Sequence, residues 1–229
     1  FYEISKIISK TNELTFIALG GGSVIDTAKI LSLMIGNNIK SSDEAIEKSS
    51  ENKISEKSKI ICIPSTAGTG AEITPFSTIW DKKNGRKYSI LANKIYREII
   101  LDPEISISLP KKITITTGLD SLCQILESTW SKKANKKSLS AASLGFEYLN
   151  KNLNNVISNP SDIESRQGML FASFLSGKVT RNSVVRTYDE ESLLNIKKEN
   201  PICSICLTDI TLDERELGCK HKFHKKCIK

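Results

Sequence analysis

Three consecutive glycines and a serine, Gly20-Gly21-Gly22-Ser23, stand between two segments of different periodicity near the start of the chain. Thr15 to Leu19 is a short run of strand-forming residues. Val24-Ile25-Asp26-Thr27-Ala28-Lys29-Ile30-Leu31 has apolar side chains at 24, 25, 28 and 31, the spacing of one helix face. The order strand, glycine turn, helix predicts an α/β unit. Bare glycine backbone lets N–H groups approach an anion, the helix N-terminus adds partial positive charge, and the Ser23 hydroxyl is a further donor. The same turn also serves plain packing of a helix on a strand, so alone it leaves both readings open.

The alternation continues downstream. A polar stretch from Asn37 to Lys59 carries a small helix-like segment and leads into a second apolar strand, Ile60 to Ile63, ended by Pro64. Ser65-Thr66-Ala67-Gly68-Thr69-Gly70 follows. That placement puts hydroxyls and bare backbone beside the crevice at the strand ends, where ligands of open α/β sheets bind. Asn84-Gly85 predicts a hairpin between Phe76–Trp80 and Lys87–Leu91. From Pro110 the strands give way to apolar residues three or four apart, over Gly118–Trp130, Lys137–Leu153 and Pro160–Lys178, which predicts a helical second lobe. Beyond Val179 this periodicity breaks down.

The expected organisation is a partial Rossmann-like nucleotide-binding domain over 1–109, lacking its N-terminal turn, and a partial helical metal and substrate domain over 110–180. A linker or junction then covers 181–200, with a small cysteine- and histidine-rich unit over 201–229. At 229 residues and 39% hydrophobic, the chain is long enough for one sizeable core and a small second unit. No apolar run approaches the roughly 18 residues of a membrane span, and Phe1-Tyr2-Glu3-Ile4-Ser5 does not read as a secretory signal. The expectation is a soluble, cytoplasmic protein in a reducing compartment, and the absent initiator Met points to a fragment. The net charge of +7 comes from lysines scattered through Ser/Asn/Ile-rich sequence, without the aromatic-interleaved stripe of a nucleic-acid binder.

Of six cysteines, Cys62 and Cys123 stand alone, whereas Cys203, Cys206, Cys219 and Cys227 crowd the end of the chain with both histidines, His221 and His224. Such crowding argues for metal and against disulfides. Thiolates and imidazoles at two- and three-residue spacing suit tetrahedral zinc, because each short pair forms a tight turn with both ligands on one side.

Three segments together resemble the iron-containing alcohol dehydrogenase family: GGGSVIDTAK at 20–29, PSTAGTGAEITPFSTI at 64–79, and LDPEISISLP with TTGLDSLCQILESTWS within 101–131. The resemblance spans about residues 14 to 180, and its third segment looks most like the phosphonoacetaldehyde reductase branch. It implies an oxidoreductase that moves a hydride between NAD or NADP and a metal-polarised aldehyde or alcohol, as an oligomer in some members. By position, Gly20, Gly21, Gly22 and Ser23 would hold the cofactor pyrophosphate, followed by Asp26 in the first helical turn. Thr66 and Thr69 would face ribose and nicotinamide. Lys87 matches a lysine near the nicotinamide ribose, and also reads as a solvated residue after a hairpin turn. Asp120 matches the first metal ligand, and also reads as a carboxylate favourable to a helix N-terminus. The family's iron set is one Asp and three His, the first His four residues after the Asp; this sequence has Gln124 there.

The tail resembles a RING finger of the double-histidine type. By that resemblance Cys203, Cys206, His224 and Cys227 would complete one zinc site, Cys219 and His221 would begin a second, and Ile205 would contact a ubiquitin-conjugating enzyme. Three readings follow: a nucleotide-binding dehydrogenase whose catalysis is impaired in this chain, a RING-type interaction protein with a decayed enzyme body, or a chimeric gene product whose halves share no function.

Overall fold

The computed structural model describes residues 14–37, 39, 44–45, 48, 58–81, 85–91, 96–183, 214–216 and 222–224. Strand β1 (Leu14–Gly20) runs into helix α1 (Gly22–Gly36), and strand β2 (Ser58–Pro64) follows. The strand–turn–helix unit expected at the glycines is therefore present, with α1 extending to Gly36. Burial along β2 alternates, with Ser58, Ile60, Cys62 and Pro64 inward. Alternation in a strand sends successive side chains to opposite faces. The inward face packs with Ala18 against Ile25, Ala28, Ile30, Leu33 and Met34 of α1. The opposite face is more open, since Ile17 is 69% and Leu19 55% exposed.

Strands β3 (Phe76–Asp81) and β4 (Arg86–Leu91) form the expected antiparallel hairpin, with Trp80 opposite Lys87. Gly85 enters β4 at φ +63°, a left-handed conformation that glycine adopts without strain. Strand β5 (Tyr96–Ile99) was not expected. It pairs parallel with β2, giving a three-stranded parallel sheet in the order β1-β2-β5. Four residues that include Arg97 and Glu98 make no apolar run; what fixes them as a strand is their partner, with Lys59 and Glu98 forming an ion pair across the ladder.

A short 3-10 helix (Pro103–Ser106), capped by Asp102 accepting from the Glu104 N–H at 3.0 Å, leads to three long helices: α2 (Lys111–Thr129), α3 (Lys136–Ser158) and α4 (Ile163–Ser183). Helix α2 starts seven residues before the expected Gly118. The β-branched run Ile113-Thr114-Ile115-Thr116-Thr117 disguises its first turns, and the helix satisfies the hydroxyls internally, Thr117 Oγ1 donating to Ile113 O at 2.8 Å. Asn135 opens α3 through a reciprocal capping box with Ser138. Helix α4 continues through Ser183, so the expected boundary at 180 falls inside a helix. No Gly or Pro interrupts Val179 to Ser183, and Thr180 Oγ1 returns a bond to Ser176 O at 2.9 Å. Ile125, Ala141, Ala142, Leu175 and Val179 fill the space between the three helices. Ala67, from the loop after β2, joins a second cluster with Val156, Met169 and Leu170, which locks that loop to the helical lobe.

In the tail, strands β6 (Glu214–Glu216) and β7 (Lys222–His224) pair antiparallel, with Glu214 opposite His224. The side chains of Cys203, Cys206, Cys219, His221, His224 and Cys227 lie outside the described residues, as does most of the expected linker 181–200. Among the described residues no helix is long and apolar enough to cross a membrane.

Candidate functional site

The glycine turn is built for close approach. Gly20 ends β1 at φ +156°, and a Cβ there would lie 2.7 Å from Val24 Cγ2. Gly21 is the N-cap of α1 and has no side chain to cap the first turn, where Val24 N–H turns back to Gly21 O at 3.0 Å. A Cβ on Gly21 would meet Thr66 Oγ1 at 3.3 Å, and one on Gly22 would meet Thr69 Oγ1 at 2.7 Å. The backbone also joins the two loops, Ser65 N donating to Gly20 O at 3.0 Å. The two loops singled out in the sequence thus form one surface.

Helices α2 and α4 hold the second loop in place. Gly70 adopts φ +58° with its Cα side against α4, where a Cβ would lie 2.6 Å from Gly177 Cα and 2.7 Å from Ser173 O. The carbonyl of Gly68 accepts from Ser121 Oγ of α2 at 2.8 Å. Ser121 and Ser176 are both fully buried, and neither was singled out from sequence. Small hydroxyl residues on the inward face of a helix are the only sequence sign of such a role.

Beside this surface opens a cleft of about 740 Å³, lined among others by Asp26, Thr69, Lys87, Asp120, Gln124 and Thr180. It lies between the α1 end, the β3–β4 hairpin and helix α2. Four of the residues proposed from sequence therefore share one cleft, with Gly22 against its Thr69 wall; Thr66 instead contacts Gly21. Ser23 is exposed at the start of α1. A second groove of about 480 Å³, bordered by Tyr148, Asn152, Asp162 and Phe171, contains none of them.

Asp26 serves the architecture of the cleft. Its Oδ1 receives the ammonium of Lys29 at 3.1 Å, and its Oδ2 accepts from the backbone N–H of Thr78 at 2.9 Å. Lys29 is fully buried, and its Nζ also donates to Phe76 O at 2.7 Å and Thr74 O at 3.2 Å. One buried cation thus ties α1 to the segment that enters the hairpin. From sequence, Lys29 is marked only by its place next to Ala28 on the inward stripe.

Lys87 is exposed on β4, its ammonium 5.6 Å from the centroid of the Trp80 ring opposite. Such a cation–π contact at an exposed site contributes about 0.5–1 kcal/mol. Asp120 lies part-way along α2. Burial pushes its carboxyl above the usual carboxylate range, opposed by the Gln124 hydrogen bond and the nearby Lys87 charge. Gln124 Nε2 donates to Asp120 Oδ2 over 3.4 Å. Among the described residues no three His, Cys, Asp or Glu side chains converge. The donor set around Asp120 therefore does not fit a divalent iron-type centre: one carboxylate faces an amide NH₂ where the family places an imidazole.

Residues 2–103 match the family model for iron-containing alcohol dehydrogenase. Alcohol dehydrogenase 4 of Schizosaccharomyces pombe is 33% identical over 180 residues, which cover 78% of this chain and 42% of the relative. The NAD-dependent methanol dehydrogenase of Bacillus methanolicus is 30% identical over 177 residues, covering 77% and 46%. Among solved structures, the sulfoacetaldehyde reductase of Bifidobacterium kashiwanohense in complex with NAD+ superposes with a TM-score of 0.67 at 31% identity, over 77% of this chain and 47% of that one. An iron-containing alcohol dehydrogenase of Thermotoga maritima superposes at 0.68 with 27% identity, over 79% and 48%. The chain spans less than half the length of these relatives. Family model, relatives and solved structures converge in supporting the iron-containing alcohol dehydrogenase family for the α/β and helical body of this chain.

Proposed function

We propose that the cleft is a nicotinamide cofactor site, binding NAD or NADP for the reduction of a small aldehyde or oxidation of the corresponding alcohol. The observation that carries this reading is the meeting of the two loops at an uncapped helix end, where a Cβ on Gly22 would sit 2.7 Å from Thr69 Oγ1. Bare backbone, a helix N-terminus and a hydroxyl wall in one place suit a pyrophosphate followed by a sugar. In this reading Gly20, Gly21, Gly22 and Ser23 hold the pyrophosphate, and Thr66 and Thr69 turn toward ribose and nicotinamide. Lys87 stands by the nicotinamide ribose. Asp26 acts indirectly, by fixing the hairpin through Lys29 and the Thr78 N–H. The cofactor, when bound, supplies or takes the hydride; the protein orients it and shapes the cleft.

The substrate we infer is a small anionic aldehyde of the phosphonoacetaldehyde kind. A cation in the cleft, Lys87, and the 31% identity to a sulfoacetaldehyde reductase support it. Purified chain with NADH or NADPH, followed at the nicotinamide absorbance, is expected to turn over phosphonoacetaldehyde in preference to propanal. Lys87→Met is expected to abolish the preference. Slow turnover is expected of this chain, so the preference is the readout. Equal use of both aldehydes, or none of either, contradicts the substrate reading.

The tail supports a separate reading through its spacing, Cys203-x-x-Cys206, twelve residues, then Cys219-x-His221-x-x-His224-x-x-Cys227. We infer zinc on Cys203, Cys206, His224 and Cys227, with Cys219 and His221 beginning a second site, and a ubiquitin-conjugating enzyme as the partner such a module would recruit. Metal analysis of the purified chain is expected to find zinc; zinc-free protein contradicts it.

A further inference from the structure

Gln124 stands one helical turn after Asp120 on α2, where residues four apart share a face. Its amide is engaged at both ends. Nε2 donates to Asp120 Oδ2 over 3.4 Å, and Oε1 accepts from Ser176 Oγ of α4 over 3.2 Å. The Ser176 hydroxyl divides its one proton between that oxygen and Ser173 O, 2.8 Å away. An amide NH₂ only donates and an amide oxygen only accepts, so the NH₂ meets the Asp120 oxygen and the amide oxygen takes the Ser176 hydroxyl. The amide oxygen, the atom of Gln124 able to ligate a cation, points to Ser176 instead. Lys87 adds positive charge acting on the same carboxylate. A divalent ion approaching Asp120 would meet an NH₂ and an ammonium's field, with no third acidic, thiolate or imidazole donor converging among the described residues.

We propose that the Asp120 position of this chain is not a cation site, and that Asp120, Gln124 and Ser176 form a hydrogen-bonded brace joining α2 to α4 behind the second loop. The same brace lies against that loop, since Ser176 Oγ is also 3.4 Å from Gly68 O. It deepens the cofactor-cleft reading and rests on it only in taking this cleft as the place of carbonyl chemistry.

Manganese discriminates, because Mn²⁺ favours carboxylate oxygen whereas the thiolates of the tail favour softer ions such as zinc. The full chain is titrated with Mn²⁺ and the free ion read by electron paramagnetic resonance. Wild type and Asp120→Asn are expected to leave equal free Mn²⁺. Gln124→His, which removes the NH₂ and supplies an imidazole on the same face, is expected to gain a saturable site that the added Asp120→Asn change removes. A wild-type chain that retains Mn²⁺ and releases it on Asp120→Asn overturns the proposal, as does a Gln124→His chain that gains nothing. Circular dichroism of each variant identifies any that fails to fold, and Asp120→Ser, which also removes the carboxylate, then serves in place of Asp120→Asn. A chain that fails to bind NADH would sink the cofactor reading and leave the manganese result standing.

Discussion

Lys29 shows how a single side chain sets the geometry of the cleft. Its ammonium is fully buried, and taking such a charge out of water costs several kcal/mol unless it is paired and fully hydrogen-bonded. Asp26, Thr74 and Phe76 provide that pairing, and the other Asp26 oxygen fixes the Thr78 N–H. Lys29→Met keeps the length and apolar stem of the side chain but leaves Asp26 beside two carbonyls with no counter-charge. It is expected to lower the unfolding free energy by about 2–4 kcal/mol in urea titrations; a loss well under 1 kcal/mol would show that the clamp is not needed. This role was illegible in the sequence because only Asp26 is local, whereas the two backbone partners of Lys29 lie 45 and 47 positions away. Gly20, Gly21 and Gly22 were legible for the opposite reason: an absent side chain beside a strand end and a helix start carries its local meaning with it.

At the level of elements, legibility followed the period. The hairpin was announced by Asn84-Gly85, and the three long helices by apolar spacing, although α2 hid its first turns in a β-branched run. Strand β5 has no sequence signature because its stability comes from pairing with β2. Caps fix where helices begin. Asp162 accepts from the N–H groups of Glu164 at 3.1 Å and Ser165 at 3.3 Å and from Ser165 Oγ at 2.7 Å, at the head of α4. The Ser165 hydroxyl first, then the backbone N–H groups, hold its carboxyl below the usual carboxylate range. A depressed folded value means that the contribution is complete above the unfolded value and is lost as pH falls through the folded one. Asp162→Asn is therefore expected to lower the urea midpoint at about pH 7, with the gap to wild type closing toward about pH 2. A gap that stays constant over that range contradicts the account.

At the scale of the whole molecule, the cleft exists because two lobes share one loop. Residues 65–70 leave the sheet at β2, lie against the glycine turn through Thr66 and Thr69, and are pinned to the helices through Ala67, Gly68 and Gly70. Sequence alone supplied both loops, in order, but not their contact, which depends on how α2 and α4 pack. It supplied Asp120 as well, and the departure at Gln124, whose consequence became visible only once Ser176 was found on its far side. The measurement that bears most directly on the central claim is a fluorescence titration of the full chain with NADH and NADPH, for wild type and Gly22→Val. Saturable binding of one of them below millimolar concentration is expected, with affinity reduced at least about tenfold, some 1.4 kcal/mol, in Gly22→Val, whose new side chain would collide with Thr69 Oγ1. Absence of saturation at millimolar cofactor, or equal affinity in the two proteins, would contradict a nicotinamide site at this cleft.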